Sequence, residues 1–206
     1  MKIKIVLLLF FILSLGYPFA DANAQTKKTR AQLEKEKADI QKRLSELSTQ
    51  FSNNVLDATQ AWYKQFDDAT ALAGLPESAL AQAAQAATQK NLSGYVITLD
   101  FPSYYAVMMY AENRALREEI YTAYVTRASA AGKKADGSSA AEWDNSALIA
   151  ETLALRHELA QLLGFANYAE RSLASKMAES TEQVIQFLNE LAQKSKPFAE
   201  RDYQEL

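Results

Sequence analysis

The sequence contains no cysteine and a single histidine, and both scarcities remove whole classes of chemistry. Without cysteine, the chain has no disulfides, thiolate zinc ligands or cysteine nucleophiles. The segment HELAQ at residues 157–161 starts like the zinc motif HExxH, but Gln161 occupies the second histidine position. A catalytic zinc ion needs three protein ligands. We therefore interpret His157 as a helical residue in a network with Arg156 or Glu158.

Other catalytic signatures are also missing. The sequence has no GxSxG elbow, no phosphate-binding glycine loop and no GxGxxG fingerprint. The carboxylate pairs Asp67–Asp68 and Glu118–Glu119 are adjacent, so on a helix they diverge by about 100° and cannot share a substrate atom. We interpret them as parts of a solvated face. The sequence therefore predicts no catalytic, cofactor-binding or metal-binding residue and no cofactor held by this chain.

The charge balance is weak, with a formal net charge of -3. Basic residues alternate with acidic ones instead of forming a stripe, which argues against nucleic acid as a partner.

The first 24 residues have a composition of their own. Lys2 and Lys4 precede an apolar run from Ile5 to Leu13 and the small-residue site Ala22-Asn23-Ala24. This pattern predicts a secretory signal peptide over residues 1–24. Since the run is too short to cross a bilayer, we expect no stable membrane anchor after cleavage.

Six glycines and four prolines leave long uninterrupted stretches, which favour helices. Residues 25–43 are predicted to begin as a polar tether and become helix. The apolar residues at 33, 40, 44, 47 and 51 form one stripe of a bundle or coiled-coil helix. Its pattern continues to Phe66 and predicts one very long helix, broken near Gly74. The fold class expected is all-α, with long antiparallel helices and at most one short strand near residues 95–99, whose partner is not evident.

Further helices are predicted along the rest of the chain. A helix is expected from Pro76 to Lys90, a helix pair over residues 104–124, and a surface loop over Gly132–Ala141. Another helix ends at Gly164, and a short one covers about Asn167–Lys176. The last begins at a cap, Ser180 or Thr181, and is kinked or divided at Pro197. Its apolar side chains are expected to point inward: Val184, Phe187, Leu188 and Leu191.

One apolar cluster has two interpretations. It consists of Tyr104, Tyr105, Met108, Met109 and Tyr110. Such residues could line a groove for a peptide. Apolar residues at helical spacing are more often core, and we predict core here.

Several segments, taken together, resemble the oligopeptidase A-like zinc metallopeptidases, relatives of thimet oligopeptidase. They lie in unbroken order over about residues 42–206 and include FSNNVLDAT (51–59), LPESAL (75–80), GYVITLDFPSY (94–104), NRALREEIYTAYVTRAS (113–129), WDNS (143–146) and ALRHELAQLLGFANYAERSLASKMA (154–178). The resemblance implies a helical body with a deep channel for short peptides. It also implies zinc and an HExxH helix downstream of the matched region.

The resemblance makes residues 42–206 an incomplete amino-terminal and middle region of such a peptidase. We expect hydrolysis of short peptides by the full-length protein, an inactive chain here, and the missing carboxyl-terminal lobe as its packing partner. Residues 1–43 instead resemble the signal peptide and coiled-coil start of murein hydrolase activators. An exported helical interaction module and a nonfunctional fusion are therefore alternatives. The two parts of the chain also imply different compartments. The predicted signal peptide implies export, whereas the resemblance of residues 42–206 implies the cytoplasm.

Overall fold

The computed structural model describes residues 28–206, so the predicted signal peptide and residues 25–27 of the tether lie outside the described residues. Seven α-helices and two strands follow in chain order, with short 3-10 turns at Thr70–Leu72 and Ala141–Trp143. Their bounds are α1 Arg30–Ala61, β1 Tyr63–Phe66, α2 Glu77–Gln89, β2 Tyr95–Thr98, α3 Phe101–Tyr110, α4 Arg114–Thr126, α5 Ser146–Leu162, α6 Tyr168–Leu173 and α7 Thr181–Gln204. The mainly helical fold class is confirmed.

Helix α1 begins with a capping box, in which Thr29 accepts a hydrogen bond from the backbone of Gln32 and the Gln32 side chain accepts one from Thr29. Its predicted apolar stripe packs along α5, with Ile40 and Leu47 buried. The ends of that stripe, at residues 33 and 51, are 37% and 41% exposed, so only its middle belongs to the core. The helix continues without a break through residues 42–43, where the two sequence resemblances overlap.

The prediction that this helix continues to Phe66 is wrong. It ends at Ala61, and the chain turns into β1, which pairs antiparallel with β2. The register places Tyr63 opposite Thr98 and Phe66 opposite Tyr95. β1 is therefore the partner that the sequence did not reveal for the predicted strand. Tyr63 and Phe66, the two aromatic residues of β1, are of a residue type that suits a pleated, half-buried strand.

The main core forms where α2, α3 and α4 enclose this small sheet. Its buried members include Trp62, Leu72, Ile97, Val107 and Ile120. In α2, which begins one residue after Pro76, Ala83 and Ala87 are buried. Their small side chains let α2 lie close against β2.

Helices α1 and α5 are joined by a buried polar contact. Asn145, at the amino-terminal end of α5, is 2% exposed, and its side chain accepts a hydrogen bond from Asn54 at 2.8 Å. The Asn145 amide also donates to the carbonyl oxygen of Phe51 at 3.2 Å, and its backbone N–H donates to Ala128 at 3.1 Å. One residue thus connects α1, the start of α5 and the turn that follows α4.

The same two helices share an ion pair between the middle of α1 and the first half of α5. The Arg43 guanidinium donates to both carboxylate oxygens of Glu151, at 2.6 and 2.8 Å. This antiparallel arrangement follows from the order of contacts, since residue 43 meets 151 and residue 54 meets 145. The hydrogen bond from Arg43 lowers the pKa of Glu151.

This ion pair predicts a pH-dependent effect of Glu151→Gln. Because the folded-state pKa lies below the ordinary value of about 4.5, the stabilisation is present above that pH and lost as pH falls. We expect Glu151→Gln to lower the free energy of unfolding at pH 7 and to have little effect at pH 3. Urea denaturation at the two pH values measures this. An equal loss at both values would contradict it.

The last helix agrees with the sequence prediction at its start and departs from it on its apolar side. Its amino-terminal cap is Ser180, as predicted, and of the two alternatives at Pro197, kink or division, the continuous helix excludes division. The side chains expected to point inward do not form a core, because Phe187, Leu188 and Leu191 are 63%, 51% and 51% exposed. The amphipathic pattern of α7 is real, yet the described residues provide nothing to cover its apolar face.

No helix among residues 28–206 combines the length and apolar character that a membrane crossing requires.

Candidate functional site

The segment that starts like a zinc motif lies on α5, and its surroundings do not fit zinc. His157 is exposed, and residues 28–206 contain no group of three histidine, cysteine or carboxylate side chains that could hold a metal ion. Gln161 donates from its amide to the carbonyl oxygens of Phe165 and Ala166, at 3.2 and 2.8 Å. Gln161 therefore stabilises the turn between α5 and α6.

The expected network around His157 is also absent from the described ion pairs. The neighbouring Arg156 instead places its guanidinium 5.2 Å from the ring centre of Tyr168. This cation–π contact joins α5 to α6. The segment thus has a structural role in the part of the chain that the structure describes.

The adjacent carboxylates lie on solvated surfaces. Asp68 accepts a hydrogen bond from the backbone N–H of Thr70 at 2.8 Å, and this bond lowers the pKa of the Asp68 carboxyl. Glu119 binds the ammonium group of Lys64 at 2.6 Å. One carboxylate of each pair therefore has a structural partner, as expected for a solvated face.

The Tyr and Met cluster divides between core and surface. Tyr104 stacks on Tyr124 of α4, with ring centres 3.9 Å apart, and the guanidinium of Arg127 lies 3.7 Å from the Tyr124 ring centre. Burial raises the pKa of Tyr104. For this part of the cluster the core interpretation holds.

Three members of the cluster contradict the core interpretation. Tyr105, Met109 and Tyr110 are 47%, 56% and 50% exposed. Phe101 stacks on Tyr105 with ring centres 5.5 Å apart. Phe101, Tyr105 and Met109 are spaced four residues apart, so they form one exposed stripe on α3. The sequence could not separate the two faces, because α3 is apolar on both.

Sequence reasoning missed a cleft between β1 and α4. It has a volume of about 960 Å³ and is lined by residues 61–65, by the outer face of α4 and by the loop at residues 131–137. The ion pair between Lys64 and Glu119 joins its two walls. The cleft was not foreseeable while residues 61–66 were assigned to a helix.

The carboxyl-terminal half of the chain matches a known family of enzymes. Residues 107–206 match the family model described as Peptidase family M3. This range begins inside α3 and includes α4, α5, α6 and α7. It therefore covers the cleft wall on α4 but not β1.

Curated relatives are similar over a longer stretch. Oligopeptidase A of Escherichia coli K12 is 56% identical over 168 residues, which are 82% of this chain and 24% of the relative. Oligopeptidase A of Haemophilus influenzae is also 56% identical over the same shares. The organellar oligopeptidase A of Arabidopsis thaliana is 44% identical over 81% of this chain and 21% of its own length. The chain thus spans about a quarter of these relatives.

The resemblance of residues 1–43 to murein hydrolase activators is not borne out. These relatives are all peptidases, and residues 30–43 belong to the same helix as the residues that follow. The resemblance of residues 42–206 is confirmed. By this similarity, the chain is oligopeptidase A-like, and its residues 107–206 belong to peptidase family M3.

Proposed function

We propose that this chain is the noncatalytic helical part of an M3 oligopeptidase that hydrolyses short peptides. The observation that carries the proposal is the 56% identity to oligopeptidase A across 82% of the chain. Zinc, when bound by the full-length protein, would polarise the peptide bond and activate water. Residues 28–206 contain no group of three histidine, cysteine or carboxylate side chains that could hold it, which supports placing its ligands outside this chain. The role of this chain is therefore to build and support the peptidase body.

The exposed face of α7 supports this role. Val184, Leu188, Leu191 and Phe198 recur at separations of 4, 3 and 7, so they share one side of the helix. The last three are 51–60% exposed. Exposed apolar stripes of this kind mark interaction surfaces, because burial of apolar area drives association. We propose that the remaining lobe of the peptidase covers this face.

A complementation experiment tests the proposal. This chain would be mixed with the portion of Escherichia coli oligopeptidase A that lies outside the matched quarter. Cleavage of a quenched fluorescent peptide would be followed with zinc present. We expect activity from the mixture and none from either part alone, because the proposal places the zinc ligands in one part and the supporting helical body in the other. Hydrolysis by this chain alone would contradict the proposal.

A matched pair of substitutions tests the surface. Leu188→Asp places a charge on the apolar stripe of α7, whereas Gln193→Asp places the same charge on an exposed polar position of the same helix. Burying an unpaired carboxylate is costly, so Leu188→Asp should reduce complementation at least tenfold. Gln193→Asp should leave it nearly unchanged. Equal effects of the two variants would show that this stripe is not the contact surface.

A further inference from the structure

One wall of the cleft between β1 and α4 is formed by consecutive residues at the start of β1. Residues 61–65 all contribute to it. Successive side chains of a strand point to opposite faces. Trp62 lies in the core, while Tyr63 packs on the other side under Lys90, whose ammonium group is 4.6 Å from the ring centre. The feature that these residues share is the backbone edge of β1.

This edge of β1 is free in the described part of the chain. The sheet has two strands, so β1 pairs through one edge only, with β2. A strand edge without a partner presents backbone N–H and C=O groups to any chain that can lie beside it. The opposite wall of the cleft is α4, which contributes Glu119, Thr122, Ala123 and Thr126. A chain that lies along β1 would run between these two walls, which the ion pair between Lys64 and Glu119 also joins.

One backbone hydrogen bond is already made at the amino-terminal end of this edge. The N–H of Ala135, in the loop that closes the cleft, donates to the carbonyl oxygen of Ala61 at 3.2 Å. Ala61 immediately precedes Trp62 and β1. A chain that extends this contact along β1 would bind residues 63–66.

Charged side chains of both signs lie at the same end of the cleft. Lys134 pairs with Glu142, and its ammonium group lies 5.1 Å from the ring centre of Trp143. Lys133 also lines the cleft and has no carboxylate within ion-pair distance among residues 28–206. Asp136 lines it too, and its carboxylate keeps its negative charge while it accepts a hydrogen bond from the backbone of Ser138. Lys133 is therefore the lysine at this end without an ion-pair partner among residues 28–206, and an anion bound to it would lie near Asp136.

We propose that the free edge of β1 binds an extended peptide as a third, antiparallel strand, with its free carboxylate beside Lys133. An antiparallel orientation places the carboxyl end of the peptide at the amino-terminal end of β1, where this lysine lies. Strand addition uses backbone hydrogen bonds and so accepts many side chains. The peptide class rests on the proposed function, but binding by this chain alone does not require hydrolysis.

N-methylated peptides provide the sharpest test. A fluorescein-labelled hexapeptide of alternating Val and Thr with a free carboxylate would be titrated with the whole chain, and its anisotropy measured. Two further peptides carry N-methyl groups at odd or at even positions. Only alternate N–H groups of an added strand face its partner. We expect one N-methylated peptide to bind at least tenfold more weakly and the other to bind nearly as well as the parent.

Two outcomes would overturn the proposal. Equal weakening by both N-methyl patterns, or no saturable binding of the parent peptide, would exclude strand addition. Dimerisation of the chain in sedimentation experiments, reversed by the peptide, would assign the edge to a second copy. Loss of complementation with intact peptide binding would count against the proposed function alone.

Charge variants test the orientation. Lys133→Glu and amidation of the peptide should each weaken binding about two- to fivefold, the range of an exposed ion pair, and should not add to one another. Lys194→Glu on α7 makes the same charge change outside the cleft and should have no effect. If the amidated and free peptides bind equally, the proposed place for the carboxylate is wrong.

Discussion

Gly94→Ala should destabilise the protein far more than Gly137→Ala, although both glycines have a positive φ. The values are +75° for Gly94 and +80° for Gly137. A Cβ atom at Gly94 would lie against the carbonyl oxygen of Phe66, closer than real Cβ atoms approach, whereas at Gly137 no atom lies within 4 Å. The left-handed conformation costs a non-glycine residue about 1–2 kcal/mol. Gly94→Ala adds a backbone clash, for a total of about 2–5 kcal/mol.

The comparison isolates steric contact from backbone strain. The free energy of unfolding of both variants would be obtained from urea denaturation followed by circular dichroism. Gly94 precedes β2, and its neighbour Tyr95 pairs with Phe66, so the clash falls where the two strands meet. Relief of the clash would separate β1 from β2. If the two variants lose the same stability, close approach at Gly94 is not what requires glycine there.

Asn145→Ala should cost about 2–3 kcal/mol in the free energy of unfolding. The substitution removes the acceptor for the Asn54 amide and the donor to the Phe51 carbonyl, which lie in the interface between α1 and α5. A buried polar group left without a partner costs about 1–3 kcal/mol. Chemical denaturation of the variant measures the loss. A loss below about 0.5 kcal/mol, typical of a surface substitution, would contradict the buried network.

A double-mutant cycle separates the network from simple loss of volume. Asn54→Ala removes the other side of the strongest contact in the network, and the pair Asn54→Ala with Asn145→Ala leaves neither amide unsatisfied. The double variant should therefore lose less stability than the sum of the two single variants. Exposed Asn189 on α7 supplies a control, since Asn189→Ala should change stability by less than about 0.5 kcal/mol. Strict additivity would show that the two amides do not interact.

Local sequence signals were enough for most of the helical elements. The cap at Ser180, the loop after Gly132 and the stop at Gly164 were predicted because caps and breakers act through bonds within a few residues. The family was also recognisable, because its motifs extend in unbroken order along residues 42–206. The absence of catalytic, metal-binding and cofactor-binding residues stays a prediction, since it was made for the whole chain.

The errors all concern contacts between distant parts of the chain. The assignment of Trp62 and Phe66 to a helix failed because their separation of four residues suits one helical face, and only β2, about 30 residues later, shows that they belong to an extended segment. For Tyr105 and Met109, apolar composition predicted burial, but exposure depends on which side of α3 meets α4. The cleft followed from the same long-range pairing and was therefore missed as well.

The amino-acid sequence by itself determined the helical character, the caps, the family and the amphipathic pattern of α7, because each depends on residues close together in the chain. Only the tertiary structure decided that β1 is a strand with a free edge, that α1 and α5 are joined through Asn145, and that the apolar face of α7 is exposed in this chain. Periodicity shows that a helix has an apolar side. Whether that side is covered depends on which distant surfaces meet it, and that is set by packing.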